Sequence, residues 1–279
     1  MNANIPLLPD GTFKDAVVLV TGGGTGLGLA TSTRFGRLGA GIVCASRDTG
    51  HHAELLARGA RDGFEVLSLP LDVRDPVSVE RAVRAAVERF GAVDVLVNNA
   101  AGNFIRPSMQ LAPKGFATVI DIALNGVFNM SREVGRAMRG RGGAIVNVSA
   151  PYARDGKPGV VHSVCAKAGV EAMTRTLAAE WAPYRIRVNA ISPGPFYSAG
   201  AAERLWPTAE LERALLEQIP LGRFGTVEEI AEMICFLASP AAEWITGTIL
   251  VADGGWSLPA PLVDSGPEGV PRRRPPLTP

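Results

Sequence analysis

The sequence predicts an α/β chain folded around one doubly wound parallel sheet. Short runs apolar at nearly every position recur along the chain, as expected of strands buried on both faces. Segments of helical patterning alternate with them, which implies right-handed crossovers and layers of helix over the sheet. A glycine-rich segment, TGGGTGLG from Thr21 to Gly28, joins the first run to the first helical segment.

The elements follow in order. Ala16–Val20 is the first strand and 26–39 the first helix. Residues 41–46 (GIVCAS) and 64–69 are the second and third strands. A helix spans 76–90, opened by Asp75 as N-cap and Pro76 at the first helical position, where a missing N–H costs nothing. The fourth strand is 93–98 (VDVLVN), followed by a helical stretch over 113–138 and a fifth strand at 144–149 (AIVNVS). A long helix over 164–181, a sixth strand at 186–191, a helix at 227–237 and a seventh strand at 248–252 complete the pattern.

With 279 residues, 47% of them hydrophobic, the chain can bury a substantial core. No composition break precedes residue 257, so we read one domain over 1–257. The segment 258–279 is a proline-rich tail carrying Arg272, Arg273 and Arg274. It reads as extended or disordered, with a phosphate contact as the alternative. A net charge of +1 excludes the broad basic field that nucleic acid or an anionic membrane would attract. Cys44, Cys165 and Cys235 form no CxxC pair, which argues against a zinc site or disulfide framework and for a reducing, cytoplasmic setting. No run approaches the roughly 18 apolar residues of a membrane span.

The glycines fall as Gly22, Gly26 and Gly28. Glycine permits a sharp turn and close approach of backbone to a pyrophosphate, and the following helix presents free N–H groups at its positive end. This is a dinucleotide turn of the Rossmann type. At the end of the second strand stands Ser46-Arg47 rather than a carboxylate. Arginine suits a 2′-phosphate, so NADPH is favoured, with a solvated surface arginine as the alternative. After the third strand, Asp72 in Leu71-Asp72-Val73 either accepts from an adenine amino group or caps the next helix.

The chain resembles the short-chain dehydrogenase/reductase family over residues 12–257. TGGGTGLG (21–28), LDV (71–73), NNAAG (98–102), Asn125, IVNVS (145–149), AKAG (166–169), RVNAISPGP (187–195) and VADGG (251–255) occur in family order. The resemblance implies strand order 3-2-1-4-5-6-7, a homotetramer and a nicotinamide cofactor. It implies that Thr21, Gly22, Gly24, Thr25, Gly26, Leu27 and Gly28 hold the dinucleotide. Ser46, Arg47, Asp72, Val73, Asn99, Ala100, Lys167, Pro193, Gly194 and Phe196 are implied as further contacts.

Common members of that family place a tyrosine four residues before the lysine. Here that position is Ser163, and the usual serine position is Ala150. Serine is a poor substitute proton donor. A different tyrosine, Tyr152, lies shortly after the fifth strand, and Asn103 follows the fourth in NNAAGNF. In both features the chain is similar to the 2,4-dienoyl-CoA reductases, in which such an asparagine, such a tyrosine, a serine and the lysine form the site. The resemblance implies Tyr152, Asn103, Ser163, Lys167 and Asn125 as catalytic residues, an acyl-CoA thioester as substrate, and a place in unsaturated fatty-acid β-oxidation. Hydride arriving at C5 of a dienoyl thioester drives charge onto the thioester oxygen, and neutral directed donors such as the Tyr152 hydroxyl and the Asn103 amide suit that oxygen. Lys167 is then expected to hold ribose hydroxyls, Ser163 to bridge by hydrogen bonds, and Asn125 to shape the helix beside Lys167.

Each residue has a structural alternative: Tyr152 a loop aromatic, Asn103 a turn terminator, Ser163 the N-cap of the 164–181 helix, Lys167 a solvated lysine. His162 reads as structural. Phe196 and Trp206 fall in a lid segment whose apolar surface suits an acyl chain, and Arg106 is a further cation for CoA phosphates. The rival functions are a trans-2-enoyl-CoA reductase, a ketone or alcohol reductase disfavoured by Ser163, and a non-catalytic NADP-binding sensor.

Overall fold

The computed structural model describes residues 7–197 and 208–259. Seven parallel strands form the main sheet: β1 (Val17–Thr21), β2 (Gly41–Ser46), β3 (Val66–Pro70), β4 (Val95–Asn98), β5 (Gly143–Val148), β6 (Ile186–Pro193) and β9 (Ile249–Ala252). Their order is β3-β2-β1-β4-β5-β6-β9, the expected order with β9 as the seventh strand. A separate two-stranded pair joins β7 (Phe196–Tyr197) to β8 (Gly225–Thr226).

The uninterrupted apolar runs have a direct cause. Alternate residues of a strand face opposite sides of a sheet, and both sides here are covered. Val18 and Val20 of β1 pack with Phe35 of α1 (Gly26–Arg37) and Ile230 and Ile234 of α9 (Val227–Ala238). Val17 and Leu19 pack with Val79 and Val83 of α3 (Pro76–Phe90), Met130 and Val134 of α5 (Gly126–Met138) and Leu177 of α7 (Val161–Trp181).

A buried polar network ties the strands that carry the site to the helices behind them. Asn98 Nδ2 donates to Asn147 Oδ1 at 2.8 Å and Ser131 Oγ at 2.9 Å, and Asn147 Nδ2 donates to Thr174 Oγ1 at 2.9 Å. Fully satisfied networks of this kind fix one arrangement of the elements they join.

Several elements differ from expectation. Helix α2 (Ala53–Asp62) stands between β2 and β3. It buries only Leu55 and Gly59. The stretch over 113–138 is divided: α4 (Pro113–Ile120) passes through a π-helical turn, Asp121–Asn125, into α5. Helix α7 begins at Val161, capped by Val160, so Ser163 is a third-position helical residue and not an N-cap. Asp75 caps α3 by accepting from Val77 N at 3.0 Å, which removes the capping alternative for Asp72. A one-turn helix α6 (Tyr152–Asp155) and helix α8 (Ala209–Leu216) complete the set. Trp206 and Arg272–Arg274 lie outside the described residues. Among the described residues no helix is long and apolar enough to cross a membrane.

Candidate active site

β1 connects onward to β2 and β3 on one side, and the chain then crosses to β4 on the other side of β1. A crevice opens outside the carboxyl ends of the strands at such a reversal. A cleft of about 640 Å³ lies there.

The glycine turn makes one wall. Gly22 and Gly26 hold φ of +65° and +49°, a region that L side chains avoid. A Cβ on Gly28 would overlap the Gly22 carbonyl oxygen, and one on Gly24 would overlap the His51 carbonyl oxygen. The N-cap of α1, Thr25, makes no side-chain capping bond, so the first-turn N–H groups remain available to an anion. Asn99 fixes the turn from β4: its Nδ2 donates to the Thr21 and Gly22 carbonyls at 2.9 and 3.2 Å.

Of the expected cofactor residues, Gly22, Thr25, Gly26, Leu27 and Gly28 line the cleft. So do Ser46, Arg47, Asp72, Val73, Asn99, Ala100 and Phe196. Thr21, Gly24, Lys167, Pro193 and Gly194 are not among the cleft's lining residues. The buried Thr21 hydroxyl accepts from the Asn99 and Ala100 amides at 3.0 and 2.9 Å, and Gly194 N bonds Ala252 O. The Asp72 carboxylate is engaged by Arg74 through both oxygens, and this bond holds it below its ordinary range. Arg47 is exposed and forms no ion pair among the described residues. His51, Ala101, Gly102 and Ile122 also line the cleft. Nothing in sequence periodicity marks them, because short loops and the π-helical turn bring them there.

Three side chains converge at Asn103, of which Asn103 alone lines the cleft. Asn103, from the loop after β4, lies on the cleft wall. Its Oδ1 accepts from Phe104 N at 2.9 Å, which turns Nδ2 towards the Tyr152 hydroxyl, 3.5 Å away. Tyr152 stands on α6 directly after β5, and its hydroxyl shares a 3.0 Å hydrogen bond with Ser163 Oγ. Burial raises the Tyr152 phenol above its ordinary value, partly offset by Ser163, so at neutral pH it is a neutral donor.

Lys167 follows Ser163 by four residues on α7, hence on the same face. It is 6% exposed, its Nζ donates to Val148 O at 2.5 Å, and burial pushes its pKa down to about 8. Asn125 does not join this cluster. Its side chain is exposed and donates to Asp121 Oδ1 at 2.9 Å within the π-helical turn, the same turn whose Leu124 packs against Gly169 of α7. His162 is fully buried, its ring 4.5 Å from that of Phe104. Arg106 is exposed, its amide donating to Gly159 O and its Nε to Gln110 O at 3.4 Å.

Comparison with known proteins places these features in context. A family model described as Enoyl-(Acyl carrier protein) reductase matches residues 22–257. A Bacillus subtilis protein named probable 2,4-dienoyl-CoA reductase [(2E)-enoyl-CoA-producing] is 41% identical over 256 residues, covering 90% of this chain and all of that one. A Pongo abelii protein named peroxisomal 2,4-dienoyl-CoA reductase [(3E)-enoyl-CoA-producing] is 42% identical over 252 residues, covering 89% and 86%. Among solved structures, a putative short-chain alcohol dehydrogenase from Sinorhizobium meliloti superposes with a TM-score of 0.85 at 36% identity, over 89% of this chain and 98% of that one.

Proposed function

The chain belongs to the short-chain dehydrogenase/reductase family of oxidoreductases, and from that membership we propose that it reduces 2,4-dienoyl-CoA thioesters to 3-enoyl-CoA with NADPH. One observation carries the reading. The tyrosine that replaces the family's usual acid, Tyr152, sits with its hydroxyl beside both Asn103 Nδ2 and Ser163 Oγ. The names of the relatives support the same substrate class.

The dinucleotide fits the residues present: a glycine cradle that a Cβ would fill, a helix start with free N–H groups, and an unpaired arginine at the end of β2. When bound, it supplies the hydride. The protein's own residues do the rest. As C5 of the thioester is reduced, negative charge collects on the thioester oxygen. The Tyr152 O–H and the Asn103 N–H₂ are the donors aimed at that charge, and donors held in place beforehand stabilise it without reorganisation. The dienolate then takes a proton at carbon from water or from Tyr152. Ser163 holds the Tyr152 hydroxyl in position. Lys167 holds ribose hydroxyls and adds positive potential.

The assay that tests this compares NADPH consumption with 2,4-hexadienoyl-CoA, crotonyl-CoA and acetoacetyl-CoA. Turnover of the dienoyl thioester is expected. Turnover of crotonyl-CoA alone would support the second reading, a trans-2-enoyl-CoA reductase, which the description of the matching family model favours. Turnover of acetoacetyl-CoA alone, or of none with NADPH bound, sinks both.

Lys167 adds a pH dependence. Its pKa in the folded chain, about 8, lies below its ordinary 10.5. Below pH 8 folded and unfolded chains are both protonated there, and the full cost of burying the ammonium is present. Between pH 8 and 10.5 the folded chain releases the proton first, so this group's contribution to stability rises with pH, by about 3 kcal/mol in all. The ammonium that the ribose and the anionic intermediate require is lost in the same window. The expected pH–rate profile of kcat/KM therefore falls above about pH 8 while the protein grows no less stable from this group. A profile flat to pH 9.5 contradicts the role given to Lys167.

A further inference from the structure

The cleft end formed by β2 carries two adjacent histidines with different surroundings. His52 is fully buried. Its Nε2 lies 2.7 Å from Ser46 Oγ and its Nδ1 2.7 Å from Ser68 Oγ. Ser46 Oγ donates its one proton to Asp48 O at 2.9 Å, so it accepts from His52 Nε2–H. In the neutral ring Nδ1 then accepts from Ser68. Burial, followed by the neighbouring His51, lowers the His52 pKa, in agreement with that assignment.

His52 thus anchors the 3-10 turn Thr49–His52, which Asp48 caps by accepting from Gly50 N at 2.8 Å. The anchored turn presses against the glycine turn: the His51 carbonyl oxygen occupies the space a side chain at Gly24 would need. The His51 side chain is exposed, His51 lines the cleft together with Arg47, and its Nε2 lies 3.6 Å from Asp48 Oδ2. The Ser46 hydroxyl, an expected nucleotide contact, is already committed to Asp48 and His52. Its proton is not free for a ligand.

A phosphate on the adenosine ribose presents three terminal oxygens. The planar fork of Arg47 serves two of them. We propose that His51 is a specificity-determining residue of the dinucleotide site, its ring N–H donating to the 2′-phosphate from the wall formed by the 3-10 turn. This rests on the reading of NADPH as the cofactor.

Calorimetric titration of the whole protein with 2′,5′-ADP and with 5′-ADP tests it without any turnover. The wild type is expected to prefer 2′,5′-ADP. His51→Ala is expected to weaken 2′,5′-ADP about three- to tenfold and to leave 5′-ADP unchanged. His51→Gln, which keeps an N–H donor, is expected to recover part of the loss. Arg47→Ala serves as the comparison. If Arg47→Ala loses the preference and both His51 variants keep it, the role of His51 is overturned while the NADPH reading stands. Equal weakening of both nucleotides by His51→Ala also overturns it, since the residue would then act only through the turn's fold. A wild type that binds both nucleotides alike overturns the NADPH reading itself.

Discussion

Replacing Tyr152 by phenylalanine is expected to lower kcat on a 2,4-dienoyl thioester by about 10²–10³-fold, the usual cost of removing one donor from an oxyanion site. The substitution removes one oxygen and keeps the ring that fills the space beside Ser163. NADPH affinity should not change, because Tyr152 does not line the cleft section that the glycine turn and Arg47 form. KM should move little, since charge develops on the thioester oxygen only as the reaction proceeds. Steady-state kinetics together with a fluorescence titration of NADPH separates these terms. A kcat within threefold of wild type would mean that Tyr152 is a packing aromatic and that another group bears the charge.

Gly28→Ala should weaken cofactor binding by displacing the glycine turn from α1. The obstacle is contact rather than backbone angle. A Cβ there would overlap the Gly22 carbonyl oxygen and stand 2.8 Å from Asn99 Nδ2. Neither neighbour can yield freely, because Asn99 Nδ2 is bonded to the Thr21 and Gly22 carbonyls. The first turn of α1 must therefore move away from the glycine turn, and its N–H groups move with it. Overpacking of this kind costs about 1–3 kcal/mol, which corresponds to about 5–150-fold weaker NADPH binding if the cost falls on the bound geometry. Titration of NADPH, with circular dichroism to confirm folding, measures it. Unchanged affinity would place the pyrophosphate elsewhere.

Much of this architecture was legible because burial on both faces leaves a sheet strand few polar positions. Val17–Val20 face helices on either side, and the sequence shows an unbroken apolar run. Helix α2, which buries two of its ten residues, is not among the expected elements although its apolar residues gather on one side. The π-helical turn at Asp121–Asn125 leaves the apolar spacing of its flanking helices intact, so nothing announces it, yet it brings Ile122 to the cleft and leaves the Asn125 side chain outside the cluster.

Site residues divide by a similar rule. That Tyr152, Asn103 and Ser163 meet was legible because a motif and a strand end place them. Thr21 and Asp72, expected as ligand contacts, also have local partners: two backbone amides for Thr21 and the Arg74 guanidinium for Asp72. His51 was not read at all, since its place depends on a short turn anchored by its neighbour. Spacing along a chain shows which residues can meet, while competition for hydrogen bonds decides which remain free for a ligand.

The most direct measurement follows the hydride. The protein is supplied with 2,4-hexadienoyl-CoA and NADPH deuterated at both C4 positions, and the product is examined by mass spectrometry and NMR. The expected result is one deuterium at C5 of a 3-enoyl-CoA. Deuterium at C3, or no transfer from bound NADPH, would contradict a site in which Tyr152 and Asn103 hold the charge of a dienolate.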